Sequence, residues 1–261
     1  MKTALVTGAS SGMGLEFARQ LAEMGYALAV VSNQEKELAD AAESIQAEFG
    51  VPVRSLCIDL AQHGVAEKVL EWCPAPDVLI NNAGIFFMEY LGPENLGKVR
   101  TMMALHMETV TELCILAGAK MKEKGAGHIL NMSSMTARIP APGIAIYSST
   151  KAYLKTFGKS LSYELRPFGV SVTTVCPAAV DTGLYPLGDR LRRNLRRIGL
   201  IRTPEWLVRR SLKAMFRGRR IFSPGLTNVL LPPLIALLPA RLIDRLGLKW
   251  IAGGRKSQVA E

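Results

Sequence analysis

The amino-acid sequence predicts an α/β fold built on one doubly wound parallel sheet. Strand-like apolar runs alternate with amphipathic helical stretches over most of the chain. The runs LAVV and SVTTV are apolar on both faces, which is typical of central parallel strands covered by helices. A glycine-rich turn follows the first apolar run. Together these observations predict a single-domain Rossmann-type fold with about seven parallel strands.

The predicted strands and helices follow one another along the chain. Strands are expected at residues 3–6, 27–32, 53–58, 78–81, 128–132, 171–176 and, more weakly, 220–222. Helices are expected at residues 13–24, 34–49, 64–72, 96–124 and 148–166. We therefore predict one domain over residues 1–222, in which residues 183–214 form a lid over the substrate. Residues 223–261 are rich in leucine and proline and predict short C-terminal helices.

Composition limits the classes of protein to which the chain can belong. With 49% hydrophobic residues, the chain can bury a complete core. No cysteine pair has the C-x-x-C spacing, and the scattered thiols fit reduced core cysteines of a cytoplasmic protein: Cys57, Cys73, Cys114 and Cys176. The histidines also lack ligand spacing, so no metal site is predicted: His63, His106 and His128.

The net charge of +10 is concentrated between Arg190 and Arg220. We interpret this stretch as a solvated helix face, because nucleic-acid recognition needs a reading element besides charge and the sequence contains none. The first residues lack the pattern of a signal peptide, and no uninterrupted apolar run reaches the length of a membrane span. These features predict a cytoplasmic protein without a nucleic-acid partner.

The C-terminal extension mixes aliphatic and basic side chains between Leu226 and Ile251. Short helices of this composition can lie in a membrane interface and bind anionic lipid weakly. The same helices can instead pack over the substrate cleft or form a subunit interface. The sequence leaves both interpretations open, so the protein is either membrane-associated at its C-terminus or buries this segment against protein.

The stretch TGASSGMG, residues 7–14, lies between the first predicted strand and the first predicted helix. Glycine lets the backbone approach a ligand closely, and the free amides at a helix N-terminus attract an anion. The turn therefore predicts a phosphate-bearing ligand. The alternation of strands and helices behind it favours a dinucleotide.

Tyr147 and Lys151 are four residues apart in a helical stretch and therefore share one face. An ammonium beside a phenol favours the phenolate, which suits a general acid/base for a carbonyl/alcohol pair. Ser134 follows the fifth predicted strand at the carboxyl end of the sheet, where its hydroxyl can bind the substrate oxygen. Taken alone, the Tyr–Lys spacing also fits an ordinary surface contact.

Five motifs occur in order along the chain: TGASSGMG (7–14), NNAG (81–84), NMSS (131–134), YSSTK (147–151) and PAAVDT (177–182). With these motifs, residues 1–222 resemble the short-chain dehydrogenases/reductases. The resemblance implies an NAD(P)-dependent oxidoreductase that interconverts a ketone and a secondary alcohol by hydride transfer. It implies Ser134, Tyr147 and Lys151 as catalytic residues, with Tyr147 as the acid/base and Ser134 chosen over Ser133 by its spacing.

The resemblance also implies a cofactor site. Its residues would be Gly8, Ser10, Ser11, Gly12, Met13, Gly14, Ser32, Asn33, Asp59, Leu60, Asn82, Ala83, Gly84, Tyr147, Lys151, Pro177, Val180 and Thr182. Ser32 stands where members that use NAD carry an aspartate, so no carboxylate repels a 2′-phosphate there. NADP is therefore the favoured cofactor, and NAD is the alternative.

The resemblance leaves the role of His106 open, because the family usually has an asparagine there that supports a water relay. An imidazole that holds this water and a buried structural histidine are both consistent with the sequence. The predicted lid pairs apolar residues with arginines, which favours a lipid-like or steroid-like substrate. Relatives often form homo-oligomers through two long helices, here near 100–122 and 149–165. The alternative function is a non-catalytic dinucleotide-binding sensor, which has no need of a phenolate.

Overall fold

The computed structural model describes residues 1–139, 141–181, 201–225 and 227–243. The strands are β1 (Thr3–Thr7), β2 (Ala27–Ser32), β3 (Val53–Cys57), β4 (Val78–Asn81), β5 (Gly127–Met132), β6 (Val170–Val175) and β7 (Ile221–Phe222). The helices are α1 (Gly12–Glu23), α2 (Glu35–Phe49), α3 (Val65–Trp72), α4 (Leu96–Met103), α5 (Thr109–Lys124), α6 (Ala145–Leu165), α7 (Pro204–Phe216) and α8 (Thr227–Ala236). A π-helical turn, Ala104–Glu108, joins α4 to α5, and a 3-10 helix, Met135–Arg138, follows β5.

The seven strands form one parallel sheet in the order β3-β2-β1-β4-β5-β6-β7. The predicted fold class is therefore confirmed. The strand order reverses between β1 and β4, and such a reversal leaves a crevice at the carboxyl ends of the two strands. Residues 8–14 and 82–84 follow these strands directly, so the fold carries both motifs to the crevice.

Helices cover both faces of the sheet, which explains why the central strands are apolar throughout. Every residue of β4 is buried. Helices α1, α2 and α7 pack on one face, where Phe17 and Leu212 are fully buried. Helices α3, α5 and α6 pack on the other face, where Leu113 and Leu154 are buried. Burial on both faces is the physical reason for the unbroken LAVV pattern of β2.

Helix α7 occupies the second part of the segment predicted to form the lid. Thr203 caps its N-terminus with the side-chain hydroxyl, and Leu207 and Leu212 are buried in the core. This part of the segment therefore contributes to the core of the fold. The first part, residues 183–200, lies outside the described residues, so the lid and the division into domains remain predictions.

The helical run Pro93–Lys124 is the one helix of the described residues that is long and apolar enough to cross a membrane by length and composition. This helix contains no uninterrupted apolar run of that length in the sequence, because charged residues interrupt its apolar stretches. Within this run α5 packs against α3 and β5, and Leu113, Cys114 and Ala117 are buried there. This packing against the sheet is typical of a core helix, although the run also satisfies the length and composition of a membrane span.

Helix α8 begins the C-terminal extension and is one of the short helices predicted there. Pro232 and Pro233 lie inside it. Arg138 of the 3-10 helix holds its N-terminal end, donating to the carbonyl oxygen of Asn228 and to the hydroxyl of Ser223. Residues 244–261 lie outside the described part of the chain.

Candidate active site

A cleft of about 610 Å³ opens where the strand order reverses. Most residues predicted for the site line it: Gly8, Ser10, Ser11, Gly12, Met13, Ser32, Asn33, Asp59, Leu60, Asn82, Ala83, Gly84, Ser134, Tyr147, Lys151, Pro177 and Val180. Gly14 is not among the lining residues, and Thr182 lies outside the described residues. The fold thus brings together motifs that lie far apart in the sequence.

Gly8 and Gly12 shape the turn, because their φ angles of +65° and +56° are rare for residues with a side chain. A Cβ on Gly8 would lie 2.9 Å from Cα of Ala83, and one on Gly14 would lie 1.9 Å from the carbonyl oxygen of Gly8. Gly14 therefore lets α1 pack against the turn. Helix α1 begins without a side-chain cap, so its first amides remain suited to a phosphate in the cleft.

Hydrogen bonds tie the glycine turn to the end of β4. The backbone amides of Asn82 and Ala83 donate to Thr7 Oγ1 at 3.0 and 3.1 Å. The side-chain amide of Asn82 donates to the carbonyl oxygens of Thr7 at 3.1 Å and Gly8 at 3.3 Å. These bonds fix the two segments relative to each other, so this wall of the cleft is preorganised.

A neutral hydrogen-bonded group lies at the end of β2. Ser10 Oγ lies 3.0 Å from Ser32 Oγ and donates to Gln34 Oε1 at 2.7 Å. The backbone amide of Gln34 donates to Ser32 Oγ at 3.2 Å. All three residues line the cleft, and the group contains hydroxyls and an amide but no carboxylate.

Tyr147 and Lys151 lie in the first two turns of α6 and both line the cleft. Lys151 Nζ is 5.6 Å from the centre of the Tyr147 ring and donates to the carbonyl oxygen of Met132 at 3.0 Å. Both residues are only 5% exposed. Burial disfavours the ammonium and lowers the pKa of Lys151 to about 8. This lysine can therefore change its protonation state within the range of enzymatic pH.

The two serines after β5 have different hydrogen-bond partners. Ser133 donates its hydroxyl to the carbonyl oxygen of Lys151 at 2.6 Å. Ser134 accepts a hydrogen bond from the amide of Thr136 at 3.2 Å, which leaves its own proton for another acceptor. Both serines line the cleft, but the geometry favours Ser134 as the donor to a substrate oxygen.

His106 is fully buried in the π-helical turn. Its Nε2 accepts from the amide of Ile85 at 3.1 Å. Its Nδ1 lies 3.0 Å from Thr150 Oγ1, which donates its own hydrogen to the carbonyl oxygen of Tyr147 at 2.9 Å. Nδ1 is therefore the donor, and the ring is the neutral Nδ1–H tautomer.

Burial, followed by the charge of Lys151, lowers the pKa of His106 well below its usual value, in agreement with a neutral ring. Both ring nitrogens already have protein partners. Of the two interpretations left open by the sequence, the geometry favours the buried structural histidine over an imidazole that holds a water.

Apolar side chains pack around Tyr147. The Phe86 ring contacts the Tyr147 ring edge-on, with 4.9 Å between the centroids. Met102 and Ile144 are buried in the same cluster. Partly buried members complete it: Ile85, Phe87, Met88, Ala141 and Ile146. The Tyr147 ring is therefore held by apolar neighbours.

The sequence matches the profile of one known family over residues 2–187, and that family is described as short chain dehydrogenase. The chain belongs to the short-chain dehydrogenase family. The matched range contains the motifs at 7–14, 81–84, 131–134 and 147–151, so the resemblance identified from the sequence is confirmed.

This short-chain dehydrogenase is similar to several named proteins. It is 31% identical to very-long-chain 3-oxoacyl-CoA reductase-A from Danio rerio, over 69% of this chain and 59% of that relative, so it spans about three fifths of the relative's length. It is 26% identical to 17-beta-hydroxysteroid dehydrogenase type 3 from Danio rerio, over 93% of this chain and 79% of the relative. The solved structure of a short-chain dehydrogenase from Sphingobium yanoikuyae in complex with NADPH has a TM-score of 0.75 and 26% identity, and the match covers 100% of this chain and 96% of the other.

Some lining residues of this short-chain dehydrogenase were not assigned to the site from sequence: Gln34, Ile58, Ile85, Leu105, His106, Met132, Ser133 and Ala178. Most of them adjoin an assigned residue along the chain. Adjacency was the signal available for these. Their orientation toward the cleft depends on tertiary packing, which a sequence motif does not record.

Outside the cleft of this short-chain dehydrogenase, His63, Glu108 and Glu112 bring ligand-type atoms within 4.8 Å of one another. The spacing of the histidines gave no sign of this group, because folding brings His63 to the start of α5. His63 Nδ1 lies 2.5 Å from Glu108 Oε1, and this hydrogen bond raises the pKa of His63. The ion pair accounts for His63 and Glu108, and we assign the group no metal.

Proposed function

We propose that this chain is an NADP-dependent oxidoreductase that interconverts a ketone and a secondary alcohol by hydride transfer. The observation that carries the proposal is the convergence of Ser134, Tyr147 and Lys151 on the cleft beside the glycine turn. The names of the two Danio rerio relatives, a reductase and a dehydrogenase, support it. A non-catalytic dinucleotide-binding sensor is the second candidate, and it gives no reason for burying an ammonium beside a phenol.

In the reductive direction, Tyr147 donates its phenolic proton to the carbonyl oxygen as that oxygen gains negative charge. Ser134 donates a hydrogen bond to the same oxygen. Lys151, with Nζ 5.6 Å from the ring centre, stabilises the phenolate that remains. A nicotinamide held beside Tyr147 and Lys151 would supply the hydride. In the oxidative direction the same side chains act in reverse, with Tyr147 taking the alcohol proton.

The described residues fit a dinucleotide phosphate. The positive-φ glycines and the uncapped start of α1 would hold the pyrophosphate, in a space that a Cβ on Gly8 would narrow. Ser10, Ser32 and Gln34 would face the adenosine ribose, and their hydroxyl and amide hydrogens can bind a 2′-phosphate. NADPH in the Sphingobium yanoikuyae structure supports this choice of cofactor, with NAD as the alternative.

The proposed substrate is lipid-like or steroid-like. Its support is the apolar cluster around Tyr147, whose partly buried members include Phe86 and Ile85, and Ile85 lines the cleft. The relatives' names mention a very-long-chain 3-oxoacyl-CoA, a ketone with a long apolar chain, and a 17-beta-hydroxysteroid, an alcohol on an apolar ring system. A cleft of about 610 Å³ is large enough for a cofactor with part of such a substrate.

We also propose a cytoplasmic homo-oligomer that associates weakly with membranes through its C-terminal extension. The oligomer would form through α5 and α6, where large apolar side chains face outward. Ile115 of α5 is 55% exposed, and the stacked rings of Tyr153 and Phe157 on α6 are only partly buried. Exposed side chains of this size are common at subunit interfaces.

The substitution Tyr147→Phe tests the proposed reaction. Wild-type turnover would be measured with NADPH and a panel of ketones, and with NADP and the corresponding secondary alcohols. We expect Tyr147→Phe to bind cofactor normally but to lose about a hundredfold or more in kcat, because the phenolic proton is removed while the ring remains. Tyr153→Phe, on the same helix with its hydroxyl bonded to Thr111, is the matched control and should keep its activity.

A Tyr147→Phe variant that retains more than about a tenth of the wild-type kcat would contradict the acid/base assignment. Two results together would favour the sensor. The wild-type protein would bind NADPH tightly but turn over none of the panel, and the variant would bind NADPH with the same affinity as the wild type.

A further inference from the structure

The described C-terminal segment exposes large aliphatic side chains on α8 and just beyond it. Val229, Leu230, Leu234, Leu237 and Leu242 are 57, 52, 59, 82 and 41% exposed. We call these five residues the apolar C-terminal face. Single exposed leucines are ordinary on a protein surface. Leu230 and Leu234, however, lie one turn apart on α8 and share a face, and clustered exposed apolar side chains mark an interaction site.

The apolar C-terminal face is anchored close to the candidate active site. Arg138 donates to the carbonyl oxygen of Asn228 at 3.4 Å and to Ser223 Oγ at 2.9 Å. Asn228, in the first turn of α8, is 1% exposed. Arg138 ends the 3-10 helix that Ser134 begins, so α8 is fixed one short helix away from the proposed substrate donor.

Positive charge gathers beside this anchor. The hydrogen-bond partners of Arg138 given above are neutral groups, and Lys155 and Lys159 lie one turn apart on α6. Within the described residues, neither lysine forms an ion pair. Burial, Arg138 and then Lys159 lower the pKa of Lys155, as expected for cations that lie close together. We call Arg138, Lys155 and Lys159 the basic cluster.

The same excess of positive charge runs through the surrounding sequence. Between residues 201 and 243 the chain has eight arginine and lysine residues and one acidic residue, Glu205. Arg241 lies within the exposed segment itself. Any partner that covers this region, whether a protein or a lipid bilayer, would therefore need a negatively charged surface.

We propose that the apolar C-terminal face and the basic cluster dock this protein on a membrane of anionic phospholipid. Exposed aliphatic side chains enter the boundary between headgroups and acyl chains, while the ammonium and guanidinium groups attract lipid phosphates. The inference deepens the proposed membrane contact by naming the residues and the lipid charge. One consequence rests on the proposed function. If the substrate is an apolar ketone dissolved in the lipid, it reaches the cleft beside Ser134 without crossing bulk water.

Flotation of the full-length protein with vesicles tests the docking surface. Two kinds of vesicle are compared, phosphatidylcholine alone and an equal mixture with phosphatidylglycerol, each at low and high salt. We expect binding to the anionic vesicles at low salt and loss of that binding at high salt. Equal flotation with neutral and anionic vesicles would overturn the proposal.

The apolar contribution is tested with Leu230→Gln/Leu234→Gln, two exposed positions one turn apart on α8. We expect about tenfold weaker binding to anionic vesicles, because apolar area is removed from the contact. The matched control is Leu91→Gln/Leu96→Gln, at leucines that are each 50% exposed in another segment. An equal loss in the control would show that binding does not depend on the apolar C-terminal face, and the proposal would be wrong.

The basic cluster is tested with Lys155→Gln/Lys159→Gln against Lys68→Gln/Lys120→Gln, which removes the same net charge elsewhere. Both double variants lose two positive charges, but only Lys155→Gln/Lys159→Gln should weaken binding to the anionic vesicles beyond this general effect. Equal losses of binding in the two variants would show that the basic cluster does not contact the lipid.

A contact between two copies of the chain is the competing use of this face. Sedimentation without vesicles reveals it: a wild-type dimer that Leu230→Gln/Leu234→Gln converts to monomer, without vesicle binding, would overturn the proposal. Turnover of a small water-soluble ketone should be unchanged in the leucine variant. An inactive wild-type protein that still floats with anionic vesicles would refute the proposed reaction and leave the docking surface standing.

Discussion

Lys151 combines a chemical advantage with a cost to the fold. It is a buried cation whose Nζ has the carbonyl oxygen of Met132 as a partner at 3.0 Å. Burial lowers its pKa from the usual 10.5 to about 8. Since the folded state releases this proton more easily than the unfolded state, the residue links stability to pH.

Replacement of Lys151 by methionine should stabilise the cofactor-free protein at neutral pH. Below pH 8 the lysine is charged in both states, and the folded state carries the full cost of the buried charge, about 3 kcal/mol from the shift. That cost disappears as the pH rises from about 8 to 10.5, where the folded lysine is neutral and the unfolded one is still charged. Lys151→Met should therefore gain about 2 kcal/mol at pH 7 after losing one hydrogen bond.

The check is denaturant unfolding of wild type and Lys151→Met at neutral pH and near pH 10. The advantage of the variant should shrink as the pH rises. A difference that stays constant would contradict the buried charge, and Lys120→Met, at a half-exposed lysine, controls for a general charge effect.

His106 should act as a positioning residue and not as a proton relay. Asparagine at this position can still accept from the Ile85 amide, so His106→Asn should keep kcat within about tenfold of wild type. His106→Leu leaves the Ile85 amide without its acceptor and removes the donor to Thr150 Oγ1, so it should lower kcat further and raise the KM for the dinucleotide.

The distinguishing measurement is the pH profile of kcat. Because the His106 ring is neutral with both nitrogens bonded, His106→Asn should leave the acidic limb where it is. A displaced limb would show that the imidazole titrates during turnover, and the positioning role would be wrong.

At the scale of elements, the contact between α1 and the glycine turn depends on Gly14. Gly14→Ala would place a Cβ 1.9 Å from the carbonyl oxygen of Gly8, so the helix and turn must separate. We expect a loss of about 3 kcal/mol in unfolding free energy and weaker dinucleotide binding. Gly97→Ala in α4, where nothing lies within 4 Å of the added Cβ, is the matched control and should be neutral or stabilising. Equal stabilities in denaturant would contradict the close contact.

The positions of helices and strands could be predicted from the sequence wherever burial produces a regular pattern of apolar residues. Strands buried on both faces, such as β2 and β4, have ends within a residue of the prediction. Helix α6 was predicted to begin at residue 148, but it begins at Ala145. The prediction was three residues late because Ala145, Ile146 and Tyr147 include no capping residue that would mark a helix start. The arginines of α7 form a solvated face as interpreted, since Arg209 and Arg210 are exposed. The core role of the helix was missed because this basic face hides the apolar one, on which Leu207 and Leu212 are buried.

The candidate site was predictable to the extent that it is local. The glycine turn and the Tyr147–Lys151 pair have fixed spacings, and both line the cleft as expected. Hydrogen-bond partners that only the tertiary fold brings together could not be predicted. Thr7 and Asn82 are 75 residues apart in the sequence, and His106 and Thr150 are 44 residues apart. No local pattern encodes such pairs.

At the scale of the whole molecule, cofactor preference should be visible as stability. A ligand that binds only the folded state at a hundred times its Kd adds about 2.7 kcal/mol to the unfolding free energy. NADPH should therefore raise Tm more than NADH at equal concentration. Ser32→Asp should reverse the order, because the new carboxylate repels a 2′-phosphate and accepts from a free ribose hydroxyl.

The control for this shift is Ser55→Asp, which adds the same charge at an exposed position of β3. It should leave the preference unchanged. A larger Tm rise with NADH than with NADPH in the wild-type protein would show that Ser32 had been misread.

The hydrogen bond between Thr7 and Asn82 joins two segments that are synthesised far apart in time. The ribosome delivers β1 and the glycine turn first, but the amides that bind Thr7 Oγ1 arrive 75 and 76 residues later. Until β4 emerges, β1 can pair only with β2, and its other edge, buried in the finished sheet, offers open backbone groups to any neighbouring chain. Such an interval exposes apolar strand to aggregation. We therefore expect a nascent chain with this strand order to aggregate more readily when synthesis stops before β4 than when it stops after β4.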